Sequence, residues 1–142
     1  MPGETEYVQV EVLGVARDPS DKSVVHLRDS QDRQLKIWIG RCEAVAIAQR
    51  LDQSFDAQRP LTQDLALALW KRLGATLQQL RIDDLWEMIY YSKLTVEKDG
   101  QLIDIDCRPS DGIALALAAQ VPIFVAEAVM EKGTASEDNP EA

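Results

Sequence analysis

The pattern of apolar residues along the chain predicts an α+β domain. It has a mixed, largely antiparallel sheet and three helices, in the order βββ-αα-βββ-α-β. Three observations carry this reading. The apolar period is two over the first 40 residues and becomes helical just after Gly40. An Asp99-Gly100 dipeptide separates two short runs and marks a hairpin. Segments of strand length and turn signals outnumber segments of helix length, which excludes a doubly wound parallel fold.

The elements follow in order. Val8, Val10 and Val12 alternate with polar residues and set a strand over 7–15. Asp18-Pro19-Ser20-Asp21 turns the chain into a second strand at 23–28, and Asp29-Ser30-Gln31-Asp32 turns it again. Leu35, Ile37 and Ile39 make a third strand that stops at Gly40. Ala44, Ile47, Ala48 and Leu51 fall at i, i+3, i+4 and i+7, so 42–53 is a helix. A polar loop runs to Pro60. Thr62 is then a suitable cap for a helix through Leu65, Leu69 and Leu73, closed by Gly74. Asp64 sits in its first turn, where a carboxylate meets the positive end of the helix. Strands are expected at 76–83, 89–97 and 101–107. Ser110 can cap a third helix over 111–120, and 122–127 closes as a strand. Residues 1–131 form the expected domain. Residues 132–142 carry no large apolar group and read as a disordered acidic tail.

At 142 residues the chain has the length of one ordinary domain. No apolar run approaches the ~20 residues of a membrane helix, so no membrane role is expected. The N-terminus is acidic where a signal peptide would be basic. Two cysteines without a C-x-x-C exclude a disulfide framework and a thiolate zinc site. Both features suit a cytoplasmic location. The net charge of −9 repels polyanions and disfavours nucleic acid as a partner over most of the surface. Residues 22–50 differ: six basic and three acidic side chains give +3, the one stretch suited to phosphate.

The chemistry available is narrow. The single histidine, His26, lies in an apolar strand, and no Walker loop, G-x-G-x-x-G or H-E-x-x-H is present. Hydrolysis would therefore run on carboxylates. Asp104 and Asp106 share one face of a strand about 7 Å apart. They read either as ligands for a hard cation or as the solvated face of a strand. Arg108-Pro109-Ser110 ahead of a helix could hold a phosphate. Equally, it could be a capped helix whose Arg108 pairs with Asp64 or Glu43. Trp38, Trp70, Trp86, Tyr90 and Tyr91 are spread over several elements and fit packing better than base stacking. Trp38 points away from the Ile37/Ile39 face and reads as exposed. With the bulky 86–91 segment it suggests a homo-oligomer, most simply a dimer.

Three segments together resemble the bifunctional nuclease domain family: Leu35-Lys-Ile-Trp-Ile-Gly-Arg-Cys-Glu-Ala-Val-Ala-Ile47, Arg59-Pro-Leu-Thr-Gln-Asp-Leu65 and Ile105-Asp-Cys-Arg-Pro-Ser-Asp-Gly-Ile-Ala-Leu-Ala116. The resemblance covers about residues 6–131. It implies a compact α+β domain, and some members are described as acting on both DNA and RNA. It places the family's polar signature on Glu43, Arg59, Thr62, Asp64, Arg108, Ser110 and Asp111. This chain departs from the pattern at Gln63, where histidine is usual. It departs again at 84–89, where a glycine-containing turn is usual, and at Gly112, where alanine is usual.

The leading expectation is a nuclease-family domain, a metal-dependent phosphodiesterase acting on DNA or RNA. Glu43, Asp64 and Asp111 would be ligands or base, with Asp64 and Asp111 holding Mg²⁺ or Mn²⁺. Arg59, Arg108 and Ser110 would bind phosphate. The alternatives are a non-catalytic domain of the same fold working through self-association or a protein partner, and a small-ligand sensor. If the helix starts at Glu43, Asp64 and Asp111 converge, a cation must separate the carboxylates. Arginines would make this a salt-bridge network, and a divalent ion would make it a metal site.

Overall fold

The computed structural model describes residues 4–134. Its elements are β1 (Tyr7–Arg17), β2 (Ser23–Asp29), β3 (Gln34–Ile39), α1 (Arg41–Leu51), α2 (Thr62–Arg72), β4 (Ala75–Trp86), β5 (Ile89–Lys98), β6 (Gln101–Cys107), α3 (Pro109–Ala119), β7 (Ile123–Ala126) and α4 (Glu127–Thr134). The strands form one sheet in the order β3-β2-β1-β7-β4-β5-β6. Every pairing is antiparallel except β4 with β7. The sheet is thus mixed and largely antiparallel, as the alternation predicts.

Two tight turns shape the second half of the sheet. Lys98 pairs with Gln101 across Asp99 and Gly100, both at positive φ, the two-residue turn that Asp-Gly favours. Trp86 pairs with Ile89 across Glu87 and Met88, whose φ values are 48° and 65°. This second turn has the same left-handed form without glycine, and for that reason the sequence does not announce it. It extends β4 beyond the expected 76–83 to residue 86.

There are four helices among the described residues, not three. The extra one, α4, includes Lys132 to Thr134, which the composition assigns to the tail. Val129, Met130 and Gly133 are buried. A side chain on Gly133 would collide with Leu35, so the helix rests directly on β3. Its first turn is tied down by Arg33, which bonds Asp29 at 2.7 Å and Glu127 at 2.7 and 2.8 Å. Burial works to raise the pKa of Asp29. The backbone N–H and guanidinium of Arg33 outweigh it and hold the carboxyl below its ordinary value. The remainder of the expected tail, 135–142, lies outside the described residues.

The core joins Leu27, Leu35, Ile37, Leu80, Ile82, Leu94 and Val125 on the sheet to Ile47, Ile113, Val129 and Met130 on the helices. Gly112 is where α3 comes closest to the sheet. A Cβ there would stand 2.5 Å from Leu80 Cδ1 and 3.1 Å from Cys107 Sγ. Its role is close approach, which offsets the helix penalty of about 1 kcal/mol that glycine carries. Trp38 is not the free aromatic expected from alternation. It is half-buried, and its Nε1 donates to Asp18 at 2.8 Å.

Candidate functional site

Helix α1 begins at the point where β3 stops. Its N-cap is Gly40, with Glu43 in the first turn. The Glu43 carboxylate folds back over Gly40, so close that a Cβ on residue 40 would stand 2.8 Å from Oε2. Helix α3 begins with Arg108 as N-cap and Pro109 at its first position. Proline suits this place because its missing N–H would have no partner inside the helix. The cap is thus Arg108 rather than the expected Ser110, which is buried at the second helical position.

The two helix starts meet. Arg108 Nη2 lies 3.0 Å from Glu43 Oε1, and Arg108 Nε donates to Asp111 Oδ2 at 2.7 Å. The guanidinium is thus held between a carboxylate of α1 and one of α3. Its side chain remains 62% exposed, whereas that of Glu43 is 15% exposed. Around this trio is an open cleft of about 360 Å³, lined also by Cys42, Gln49, Thr62 and Gln63. Of the expected residues, Glu43, Thr62, Arg108 and Asp111 come together here.

Asp64 takes a different position. It accepts the Leu61 backbone N–H at 2.9 Å and lies 2.8 Å from Arg50. The Arg50 pairing and the Leu61 N–H hold its carboxyl below the usual range. Leu61, rather than Thr62, is the N-cap of α2. Asp64 fixes the start of α2 and ties it to α1. Arg59 and Ser110 are not among the residues that line the cleft. Gln49 and Cys42 are, although the sequence reading did not single them out. They share a face of α1 with Val45 and Ala46, and only the docking of α3 makes that face a wall.

Among the described residues no group of three His, Cys, Asp or Glu side chains is arranged to hold a metal ion. Glu43 and Asp111 supply two carboxylates near one point. Two carboxylates completed by substrate phosphate and water are a donor set that Mg²⁺ accepts. Such an ion would compete with the Arg108 guanidinium. His26 is half-buried in β2, and burial and the charge of Lys36 lower its pKa.

A second polar cluster occupies the sheet face opposite the core. Arg81 donates to Asp104 at 2.9 and 3.2 Å and to Thr95 at 2.9 Å, and lies 3.4 Å from Asp83. Tyr7 donates to Asp83 at 2.6 Å, and its ring lies under the Arg81 guanidinium. Asp104 therefore belongs to a structural pair. The sequence offered it only as a metal ligand or as solvated surface.

This fold and cleft define a class: a small α+β domain that presents an arginine held by carboxylates at two helix starts. Comparison with known proteins identifies the class. The profile of the bifunctional nuclease domain matches residues 25–138, and the chain belongs to that family. An uncharacterised protein of Mycobacterium tuberculosis is 42% identical over 124 residues, covering 86% of this chain and 73% of that one. Bifunctional nuclease 1 of Oryza sativa subsp. japonica is 27% identical over 110 residues, covering 75% of this chain and 33% of the rice protein.

Proposed function

We propose that this domain binds the phosphodiester backbone of DNA or RNA in the cleft between α1, α2 and α3 and hydrolyses it. The observation that carries the reading is Arg108: an exposed guanidinium oriented by Glu43 and Asp111, at the start of a helix. Fixed guanidinium geometry suits two phosphate oxygens, and the free N–H groups of a helix start add to the attraction. Asp111 and Glu43 would hold a divalent cation once phosphate draws Arg108 aside, and that ion would polarise the scissile phosphate. Thr62 and Gln63 line the opposite wall and would bond to sugar or phosphate oxygens. Membership of the family and the name of the rice relative support nuclease chemistry. Among the described residues no helix is long and apolar enough to cross a membrane. Cys42 and Cys107 are unpaired, in keeping with work in the cytoplasm.

A second reading has its own observation. Arg108 is neutralised by two carboxylates in a chain of net charge −9, which suits a non-catalytic module that binds protein. Cleavage of plasmid DNA and of single-stranded RNA with Mg²⁺, Mn²⁺ or EDTA separates the two. The nuclease reading expects metal-dependent cleavage that Asp111→Asn abolishes. Cleavage that is equal in wild type and Asp111→Asn, or none under any condition, overturns the nuclease reading and leaves the second.

A further inference from the structure

The sheet has two edges, and they are finished differently. At one edge, β3 keeps Leu35 and Ile37 fully buried, and α4 packs against it. At the other, β6 pairs only with β5 among the described residues. Six of its seven residues are exposed. Three of them are large and apolar: Leu102, Ile103 and Ile105, exposed to 70, 43 and 39%. Helix α2 carries exposed Leu65, Leu69 and Leu73, and the Gly74 that follows lies beside Lys98, the partner of Gln101. An unpaired apolar edge of this length is a template for another strand.

The outward backbone groups can be assigned. The two-residue turn makes Lys98 and Gln101 a hydrogen-bonded pair, and the ladder alternates from there. The N–H and C=O groups of Leu102, Asp104 and Asp106 therefore point away from β5. The same alternation allows an antiparallel copy of β6 to lie alongside about a two-fold axis. Charge then selects among the registers that overlap at least five residues of the strand. An axis at Asp104 sets Asp104 against its own copy, and an axis at Ile105 sets Asp104 against Asp106. An axis at Ile103 sets no aspartate opposite another. It pairs Ile103 with Ile103 in a close, non-hydrogen-bonded pair, and hydrogen-bonds Leu102 to Asp104 on both sides. Asp104 already has its charge matched by Arg81 of its own chain.

We propose that β6 pairs with β6 of a second copy, antiparallel and centred on Ile103, joining two seven-stranded sheets into one. The partner is a second copy of this chain because the edge is complementary to itself in backbone pattern, apolar residues and charge. The proposal places the interface on β6 rather than on Trp38 or the 86–91 turn, and it does not depend on nuclease activity.

The test combines mass and cross-linking. Light scattering should give twice 15.9 kDa at micromolar concentration. Ile103→Lys should weaken the dimer about 30-fold or more while leaving the circular dichroism spectrum unchanged. Met88→Lys, at the far turn, should leave the dimer intact. With Cys42→Ser and Cys107→Ala as background, Ile103→Cys should form a disulfide-linked dimer under mild oxidation, and Ile105→Cys should not. A monomer at 100 µM overturns the proposal. So does a dimer dissolved by Met88→Lys but not by Ile103→Lys, and so does a cross-link at Ile105 without one at Ile103.

Discussion

Arg81 and Arg108 each hold two carboxylates, but in opposite surroundings. The Arg81 side chain is 20% exposed and sits on β4, in the interior of the sheet order. Its partners come from β4, β5 and β6, and Tyr7 of β1 lies beneath it. Its Nε, Nη1 and Nη2 all donate to the protein itself, so the guanidinium serves to tie strands together. Arg108 stands at a helix start above an open cleft, three times as exposed, with solvent on one side. The same ion-pair chemistry ties strands together in one place and leaves a guanidinium facing an open cleft in the other. The difference lies in burial. A half-buried charge that loses its partner is left stranded at low dielectric, whereas an exposed one is rehydrated.

The comparison can be broken in four ways, from the largest expected effect to the smallest. Arg108→Ala should lower phosphodiester cleavage about 100-fold, equivalent to about 2.7 kcal/mol of transition-state stabilisation. It should lower stability by only about 1 kcal/mol, because Arg108 itself is exposed although Glu43 is left without its ion-pair partner. Parallel rate measurements and urea melts check both halves, and a large loss of stability would make Arg108 a second Arg81.

Arg81→Ala should destabilise the fold by about 2 kcal/mol, because Asp83, Asp104 and Thr95 each lose one of their bonds in a half-buried setting. Urea denaturation measures it. An effect under ~0.5 kcal/mol would place Arg81 with ordinary surface pairs.

Acid separates the clusters further. Arg81 holds Asp104 below its ordinary pKa of 3.8, and Arg33 does the same for the buried Asp29. A depressed carboxyl contributes stability that is present above its unfolded pKa. That stability is lost as pH falls through the folded value. Stability should therefore decline below about pH 4, and Arg81→Ala should flatten part of that decline. Asp18, bonded by the Trp38 indole, is lowered to about 2, so the Trp38 indole N–H resonance should titrate near that pH.

The smallest effect is expected at Asp106. It lies on the same strand face as Asp104 and opposite Lys93. Asp106→Asn should change stability by under ~0.5 kcal/mol, a surface value. Asp104→Asn should cost more, because only Asp104 bonds Arg81 and Thr95. Equal effects at the two positions would show that the bonds to Arg81 add nothing.

Much of the fold was legible wherever local chemistry had only one solution. The Asp99-Gly100 turn, the break at Gly40 and the apolar spacing of α1 are of this kind, since each depends on residues within a few positions. The 87–88 turn was not legible, because Glu87 and Met88 take left-handed backbone only under the constraint of two paired strands. Nor was α4, a short helix whose burial comes from β3, β4 and β7 and whose anchor, Arg33, is 94 positions away from Glu127.

The site divides in the same way. Sequence alone marked the starts of the helices as the places where carboxylates and arginines collect, because helix starts leave N–H groups unpaired. It also offered Glu43 as one partner of Arg108, without deciding between it and Asp64. Only the tertiary structure made the choice. Docking α3 against α1 brings Arg108 within 3.0 Å of Glu43, while Arg50 takes Asp64. The packing of helices also put Gln49 and Cys42 in the cleft wall, and the register of β4, β5 and β6 turned Asp104 into a partner of Arg81. Spacing along a chain determines which residues share a face. Which face meets which is set by the burial of apolar surface between elements distant in sequence, and that energy is not written in any one segment.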